Sequence, residues 1–373
     1  MIYVLYIVFV CLWPSVSFGE ESYTLLWQRS FDSPIIKISR VEDFFSRDSA
    51  FPLSHVVSKK NLIELNIDKT KEKTVSMTSY DIVKVADNGI AVGLKKNAIT
   101  VFSADKQMST FNTDKTIVIP EHLILDISPD GSLIVIVSWF HKHISFYTID
   151  GQLLNSYSSE DLKGAVIQFS KNSERVVIHV PNYGDGSSNG YLLCYDKKGR
   201  FLWRYDHPGC QAQYNLSSDG AYVILSANQK LYSLHKGKII YEKNMNSPEI
   251  LVRISNDGKH VALARKSDHC IIYSDNQTGE TLWKQTLSGF DSLNSPFTDM
   301  AVRQNVVAVA VSKHWSKRNE ESWAIVFNAE GERIWEKSFK QSALHISFSN
   351  RASIMSLFGD KSVYLYRRHL KAN

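Results

Sequence analysis

One phrase recurs along this chain with variations: an apolar residue, Ser, a turn ending in Gly, then a run rich in β-formers. It reads Ile127-Ser128-Pro129-Asp130-Gly131, Leu216-Ser217-Ser218-Asp219-Gly220 and Ile254-Ser255-Asn256-Asp257-Gly258, followed by segments such as Leu133 to Val137, Tyr222 to Leu225 and His260 to Ala264. Such a unit is a small antiparallel sheet that cannot bury its own faces, so copies must stack on one another around a ring.

The residues equivalent to that Ser are Ser39, Ala86, Ser128, Ser170, Ser217, Ser255, Val302 and Ser349, with Ser39 and Val302 the weakest matches. Their successive spacings are 47, 42, 42, 47, 38, 47 and 47 residues. Each is close to the roughly 40–50 residues of a four-stranded propeller blade. The spacing predicts an all-β chain forming a single β-propeller of eight four-stranded blades; seven blades would require two of these anchors to be accidental.

A second phrase follows about 25 residues later in the repeat: Gly199-Arg200-Phe201-Leu202-Trp203, Gly279-Glu280-Thr281-Leu282-Trp283 and Gly331-Glu332-Arg333-Ile334-Trp335, with a decayed copy at Gly237-Lys238-Ile239-Ile240-Tyr241. Gly supplies the positive φ of a tight hairpin, and the residues after it are expected to alternate so that the aromatic lands on one sheet face. Trp203, Trp283 and Trp335 are thereby expected to dock onto the neighbouring blade. At Gly151-Gln152-Leu153-Leu154-Asn155 the hairpin remains without its Trp, so that seam must be held differently. Residues 23 to 27, Tyr-Thr-Leu-Leu-Trp, spell the last-strand phrase ending at Trp27 without the strands that precede it, whereas Ile346 to Tyr366 lacks a last strand. The N-terminal strand is expected to complete the final blade, closing the ring and removing exposed sheet edges.

Residues 20–373 read as this one domain, with no linker-like block and no sustained helical period; the polar stretch Glu42 to Phe51 is a short helix or loop interrupting the first blade. Residues 1–19 carry no charge, and Ile2 to Trp13 is apolar before Ser17-Phe18-Gly19, which suits a cleaved signal peptide and export to a periplasmic or extracellular space. An uncleaved N-terminal anchor is the alternative, and would be the sole membrane attachment.

The formal net charge of +5 is spread along the chain, and its one basic cluster, Lys313 to Arg318, runs into Glu320 and Glu321, so no continuous basic stripe exists for nucleic acid. Cys194, Cys210 and Cys270 permit one disulfide, but spacing does not choose the pair, and burial as small apolar residues serves Cys194 and Cys270 equally. Asn215-Leu216-Ser217 and Asn276-Gln277-Thr278 are glycosylation sequons.

The phrases ending at Trp203, Trp283 and Trp335 resemble the tryptophan-docking repeat of the quinoprotein-like propellers, and the Asp-Gly turns resemble WD40-type repeats without the Trp-Asp and Gly-His signatures. The quinoprotein-like superfamily includes pyrroloquinoline-quinone dehydrogenases and the propeller lipoprotein of the outer-membrane β-barrel assembly machinery. The resemblance covers nearly all of the chain after residue 19 and implies the fold. It carries over no quinone chemistry, since no two cysteines are adjacent and no calcium-ligand set can be matched, so no cofactor is expected.

His141 and His143, two apart, would face the same way on a strand, and His314 lies in a corresponding connection; such imidazoles are the material for a zinc site in a central channel. No His-Glu-x-x-His pair or phosphate-cradling Gly loop accompanies them. The chain spends its extra residues elsewhere. Second-to-third-strand connections are enlarged or aromatic at Ser138 to His143, Pro181 to Gly190 and Ser312 to Ser322, and the interblade link Ser288 to Pro296 opens beside them. Trp139, Phe140, His141, Tyr183, Phe290, Trp315 and Arg318 are the candidate contact residues for a protein partner, although each aromatic could instead cap a blade. The expectation is an exported, noncatalytic propeller scaffold; the alternative is a propeller hydrolase or lactonase with a central-channel metal.

Overall fold

A computed structural model describes residues 22–369 except 31–34, 42–52, 59–60, 65–72, 77–79, 104–105, 114–122, 160–161, 182–188, 210–211, 246, 248–249, 291–296, 304, 313–320, 342–343, 350–351 and 360–361. For the strands between 35 and 75, and for Trp27 and Ile250, only the backbone is described. The proposed leader 1–19, the stretch Glu42 to Phe51, and Tyr183, Cys210, Trp315 and Arg318 lie outside the described residues.

Among the described residues the chain is strand throughout, with one 3₁₀ turn at Lys266–Asp268. The strands form eight four-stranded antiparallel sheets. Sheets 1 to 7 span residues 35–76, 82–112, 123–158, 166–208, 212–244, 250–286 and 297–339, each a meander in chain order. Sheet 8 takes three strands from 345–369, and its fourth is Ser22–Ser30, paired with Ser362–His369 from Ser22↔His369 to Ser30↔Ser362.

The first strands of successive sheets touch one another from sheet 2 to sheet 8, and Ile35–Val41 of sheet 1 touches Ile354–Gly359 of sheet 8. First strands are therefore innermost and fourth strands outermost. The apolar clusters follow from this. Most are shared by two adjacent sheets, as where Val135 and Phe146 of sheet 3 meet Val176, Ile178 and Tyr195 of sheet 4, while Val85, Ala91 and Phe102 cluster within sheet 2. Middle strands packed on both faces are apolar without alternation: Leu133–Ser138 is buried at every position, whereas the outer strand Leu153–Ser158 is largely exposed.

The Ser phrase owes its form to one hydroxyl. Ser128, Ser217 and Ser255 are buried, and each Oγ donates to the Asp two residues on at 2.6 Å. Each also accepts the N–H five residues on, from Leu133, Tyr222 and His260, at 2.9–3.0 Å. Ser170 does the same with Asn172 in place of Asp, and Ser349 accepts from Ile354. Burial opposes charge on Asp130, Asp219 and Asp257, yet the Ser hydroxyl and neighbouring backbone N–H groups hold all three carboxyls below the usual range. At the weak match Val302 no such turn forms: the strand continues to pair Arg303 with Val306, and the Arg303 guanidinium donates to the carbonyls of Phe348 and Ser349 in the next sheet.

The Gly phrase departs from simple alternation. In sheets 2 to 8 the register between third and fourth strands slips by one, in sheets 2 to 7 just after the hairpin, for example between Cys194↔Trp203 and Tyr195↔Phe201. This β-bulge leaves Leu202 opposite no partner and moves Trp203 off the face that strict alternation assigns it. The unpaired residue is apolar each time, as at Met108, Leu154, Leu202 and Leu282.

The hairpin Gly has a packing role as well as positive φ. A Cβ on Gly237 would sit 2.7 Å from Cγ of Trp203 in the preceding sheet, and one on Gly331 2.8 Å from Cγ of Trp283. Trp335 instead meets the rings of Tyr23 and Tyr366 in sheet 8. Where the Trp is missing, Phe146 lies against Gly199, and Tyr157 stacks near Tyr195 while its hydroxyl accepts the N–H of Phe201 at 3.2 Å. Two smaller rings thus fill the space that one indole occupies elsewhere.

Candidate functional site

The meander gives each sheet two unlike ends. First-to-second turns and third-to-fourth hairpins share one end, here called the hairpin end; second-to-third connections and the links between sheets share the other, the link end. At the link end Ser159 N–H donates to Lys142 O at 2.8 Å, and Ser159 Oγ lies 3.1 Å from Tyr191 Oη of the next sheet.

Of the seven rim candidates, four are described. Phe140 stands out from the link end at 59% exposed, its ring edge-on to His141. Trp139, next to it, is half-buried against the core between sheets 3 and 4, with Lys163 Nζ 6.0 Å from its ring centre. Phe290 likewise turns inward, packing on the core between sheets 6 and 7 beside His269 and Trp323. Both rings thus pack on a core shared by two sheets at the link end. His141 lies in the turn before the strand and His143 begins it, with its Nδ1 3.3 Å from Ser158 Oγ, so the pair does not share one strand face. Among the described residues no three His, Cys, Asp or Glu side chains converge to hold a metal ion.

The connection in sheet 4 is narrower than Pro181 to Gly190, since Pro181 pairs with Gly190 and leaves 182–188 between the strands. The run Gly186-Ser187-Ser188-Asn189-Gly190, which begins in this connection and ends in the strand, has the spacing of a hydrolase nucleophile elbow. An elbow requires a strand-to-helix turn, and this run joins two antiparallel strands. Below it lies an arrangement no motif signals. His179 and His207 stack with ring centroids 5.2 Å apart, 4% and 2% exposed, against the face of Gly190. Among the described residues, neither Nε2 has a hydrogen-bond partner. Burial, then the adjacent His207, pushes the His179 imidazole down to about 4, and burial lowers His207.

On the innermost strands the notable cluster is Arg253, Asp299 and His345. Arg253 Nη2 donates to Asp299 Oδ1 at 2.7 Å, and its Nε donates to Met300 O. The other carboxylate oxygen accepts the N–H of Ile346 at 3.2 Å and lies 3.5 Å from Nδ1 of half-exposed His345, which stacks on Phe358. Burial opposes the Asp299 charge, but His345 and Arg253 outweigh it and keep the carboxyl ionised. The cluster ties three sheets together at the inner wall.

Cys194 and Cys270 are buried free thiols, and burial pushes Cys194 up to about 12, which makes it inert as a nucleophile. Asn276 is fully buried, accepting from Ser233 Oγ and donating to Gly258 O, each at 2.7 Å, so the folded chain presents no acceptor at that sequon. Asn215 uses its Oδ1 to accept the N–H of Ile254.

The hairpin end has a different character. Among the described residues, apart from Phe140 and Val166, the exposed large apolar residues all lie on fourth strands: Met108, Leu153, Leu154, Phe201, Leu202, Ile239 and Leu282 next to their hairpins and Leu25 on Ser22–Ser30, at 36–52% exposure.

Residues 188–365, just under half of the chain, match the family described as outer membrane protein assembly factor BamB. No curated protein matches the chain in sequence. In structure it is similar to the Dos1 propeller, with a TM-score of 0.63 and 12% identity over 92% of this chain and 95% of that one. It is also similar to the WD40 domain of SCAP from fission yeast, with a TM-score of 0.59 and 10% identity over 93% and 98% of the two chains. These likenesses, with the eight four-stranded antiparallel sheets, establish the fold of the chain as a β-propeller, similar to those of the BamB and WD40 types.

Proposed function

We propose that the protein is an exported, noncatalytic scaffold whose link end receives a protein partner. In this reading the eight sheets are eight blades of a ring closed by the pairing of Ser22–Ser30 with Ser362–His369, and residues 1–19 direct export. The observation that carries it is the exposure of Phe140, which at 59% is the most exposed large apolar side chain among the described residues. An exposed aromatic on a loop held by a rigid sheet is a ready anchor for a partner. The match of 188–365 to an envelope-assembly family agrees with a binding role and with a place in the cell envelope. Trp139 and Phe290 support the surface from beneath rather than contact the partner.

The second reading, a hydrolase or lactonase with a metal in the channel, has His345 and Asp299 in its favour, an imidazole oriented by a carboxylate on the inner wall. One purified preparation tests both. A combined Phe140→Ala, Tyr183→Ala and Trp315→Ala variant is expected to lose partner capture from the native source at unchanged circular dichroism, with no stoichiometric metal by elemental analysis. Undiminished capture refutes the rim assignment; a metal at one per chain favours the enzyme.

A further inference from the structure

The hairpin end has its own surface, which the scaffold reading leaves unused. On the outer strands of sheets 4 and 5, beside their hairpins, Phe201, Leu202 and Ile239 are 48%, 45% and 51% exposed, Phe201 on the side of sheet 3, where its ring meets Tyr195. Leu202 and Ile239 lie on adjoining outer strands, where Trp203, directly after Leu202, lies over Gly237, two residues before Ile239. The bulge is what turns Leu202 outward, and an apolar residue occupies the bulged position even where it gains little burial. A solvated bulge tolerates polar residues, so fold stability does not account for the choice.

The charges around these side chains supply the second observation. Of the hairpin cations, Lys197 pairs with Glu174 and Arg200 with Asp196, each at 2.6 Å. Lys198, Lys236 and Lys238 are exposed and, among the described residues, have no acidic partner. Lys236 and Lys238 flank Gly237 itself, so the three lysines are carried by the same two hairpins as the three exposed apolar side chains.

We infer that this face docks on the surface of a bilayer containing anionic lipids, Lys198, Lys236 and Lys238 meeting headgroup phosphates while Phe201, Leu202 and Ile239 enter the acyl boundary. Cationic side chains beside exposed apolar ones are the composition that an anionic membrane interface selects. Docked this way, the hairpin end faces the membrane and the link end faces away, free for a partner. The contact is separate from any insertion of residues 1–19.

Vesicle co-sedimentation of the full chain tests it, comparing phosphatidylcholine vesicles with and without about one-third phosphatidylglycerol. At roughly fivefold per surface lysine, Lys198→Ala/Lys236→Ala/Lys238→Ala should bind the anionic vesicles about 100-fold more weakly, and 0.5 M salt should weaken the unaltered chain comparably. Phe201→Ser/Leu202→Ser/Ile239→Ser should weaken binding at least tenfold with an unchanged circular dichroism spectrum. Equal binding to neutral vesicles, or equal binding by the lysine variant, overturns the proposal. So does a dimer, seen by sedimentation equilibrium, that the apolar variant dissociates, because a second copy would then be the occupant. Partner capture through the link end is unaffected by these variants, so failure here and failure of the scaffold reading are distinguishable.

Discussion

The buried imidazole pair predicts an acid sensitivity whose size can be worked out. Unfolded, His179 titrates near 6.5, while in the fold burial and His207 hold it at about 4. Between those values the unfolded chain binds a proton that the folded chain refuses. Stability is therefore complete above about pH 6.5 and falls as the pH drops toward 4. By pH 5 His179 alone should cost about 2 kcal/mol, rising to roughly 3 kcal/mol near pH 4. His207, also lowered by burial, adds in the same direction. The other charged groups nearby are Asp206 and Arg204, and these pair with one another at 2.6 Å. The carboxyls of Asp130, Asp219, Asp257 and Asp299 are held below 3.8, so their contribution is lost only at lower pH, and the interval from 6.5 to 5 belongs to the histidines. Urea midpoints at pH 7, 6 and 5 should fall by roughly 0.7 M or more in total, for a slope of about 3 kcal/mol per molar. His179→Gln/His207→Gln should flatten that dependence whatever its own stability at pH 7. A midpoint in the unaltered chain that does not move between pH 7 and 5, or an equal fall in the double variant, refutes the reasoning.

Two further outcomes test the packing argument. Gly237→Ala places a Cβ 2.7 Å from the Trp203 ring at φ +79, whereas Gly289→Ala meets nothing within 4 Å at φ +87; both carry the roughly 1 kcal/mol left-handed penalty, so the excess loss in Gly237→Ala, expected to be about 1–3 kcal/mol by thermal unfolding, measures overpacking of the seam. Ser255→Ala should cost about 1–3 kcal/mol, because the buried N–H of His260 loses its acceptor and Asp257 a donor, and Ser255→Thr should recover part of it if a hydroxyl is what the turn needs.

The parts of the fold that showed in the sequence are those set by local chemistry. A Ser whose hydroxyl both donates to Asp two residues on and accepts an N–H five residues on must be spelled nearly the same way each time. The hairpin Gly is legible for a related reason: its φ is positive and a ring occupies the place of its side chain. The seam partners of Gly199 were not legible, because Phe146 comes from a third strand and Tyr157 from a fourth, and only stacking brings them together. The bulge escaped as well, since one unpaired residue inverts the faces that a period of two assigns.

The candidate site divides the same way. That connections at one end carry aromatic residues is written in the chain, but the direction of each ring is decided by the gap beneath it. Trp139 and Phe290 fill seams between sheets, and Phe140, one residue along, points into solvent. The His179 and His207 pair has no sequence signature, since the two residues come from different strands and share only a Gly190 small enough to lie between them. Composition and periodicity thus determined that this chain is a stack of small sheets, because hydrogen bonds and hairpins act over a few residues. Which side chains face water at its two ends was decided by the tertiary structure alone, because exposure is set by atoms supplied from the neighbouring sheet some 40 residues away in sequence.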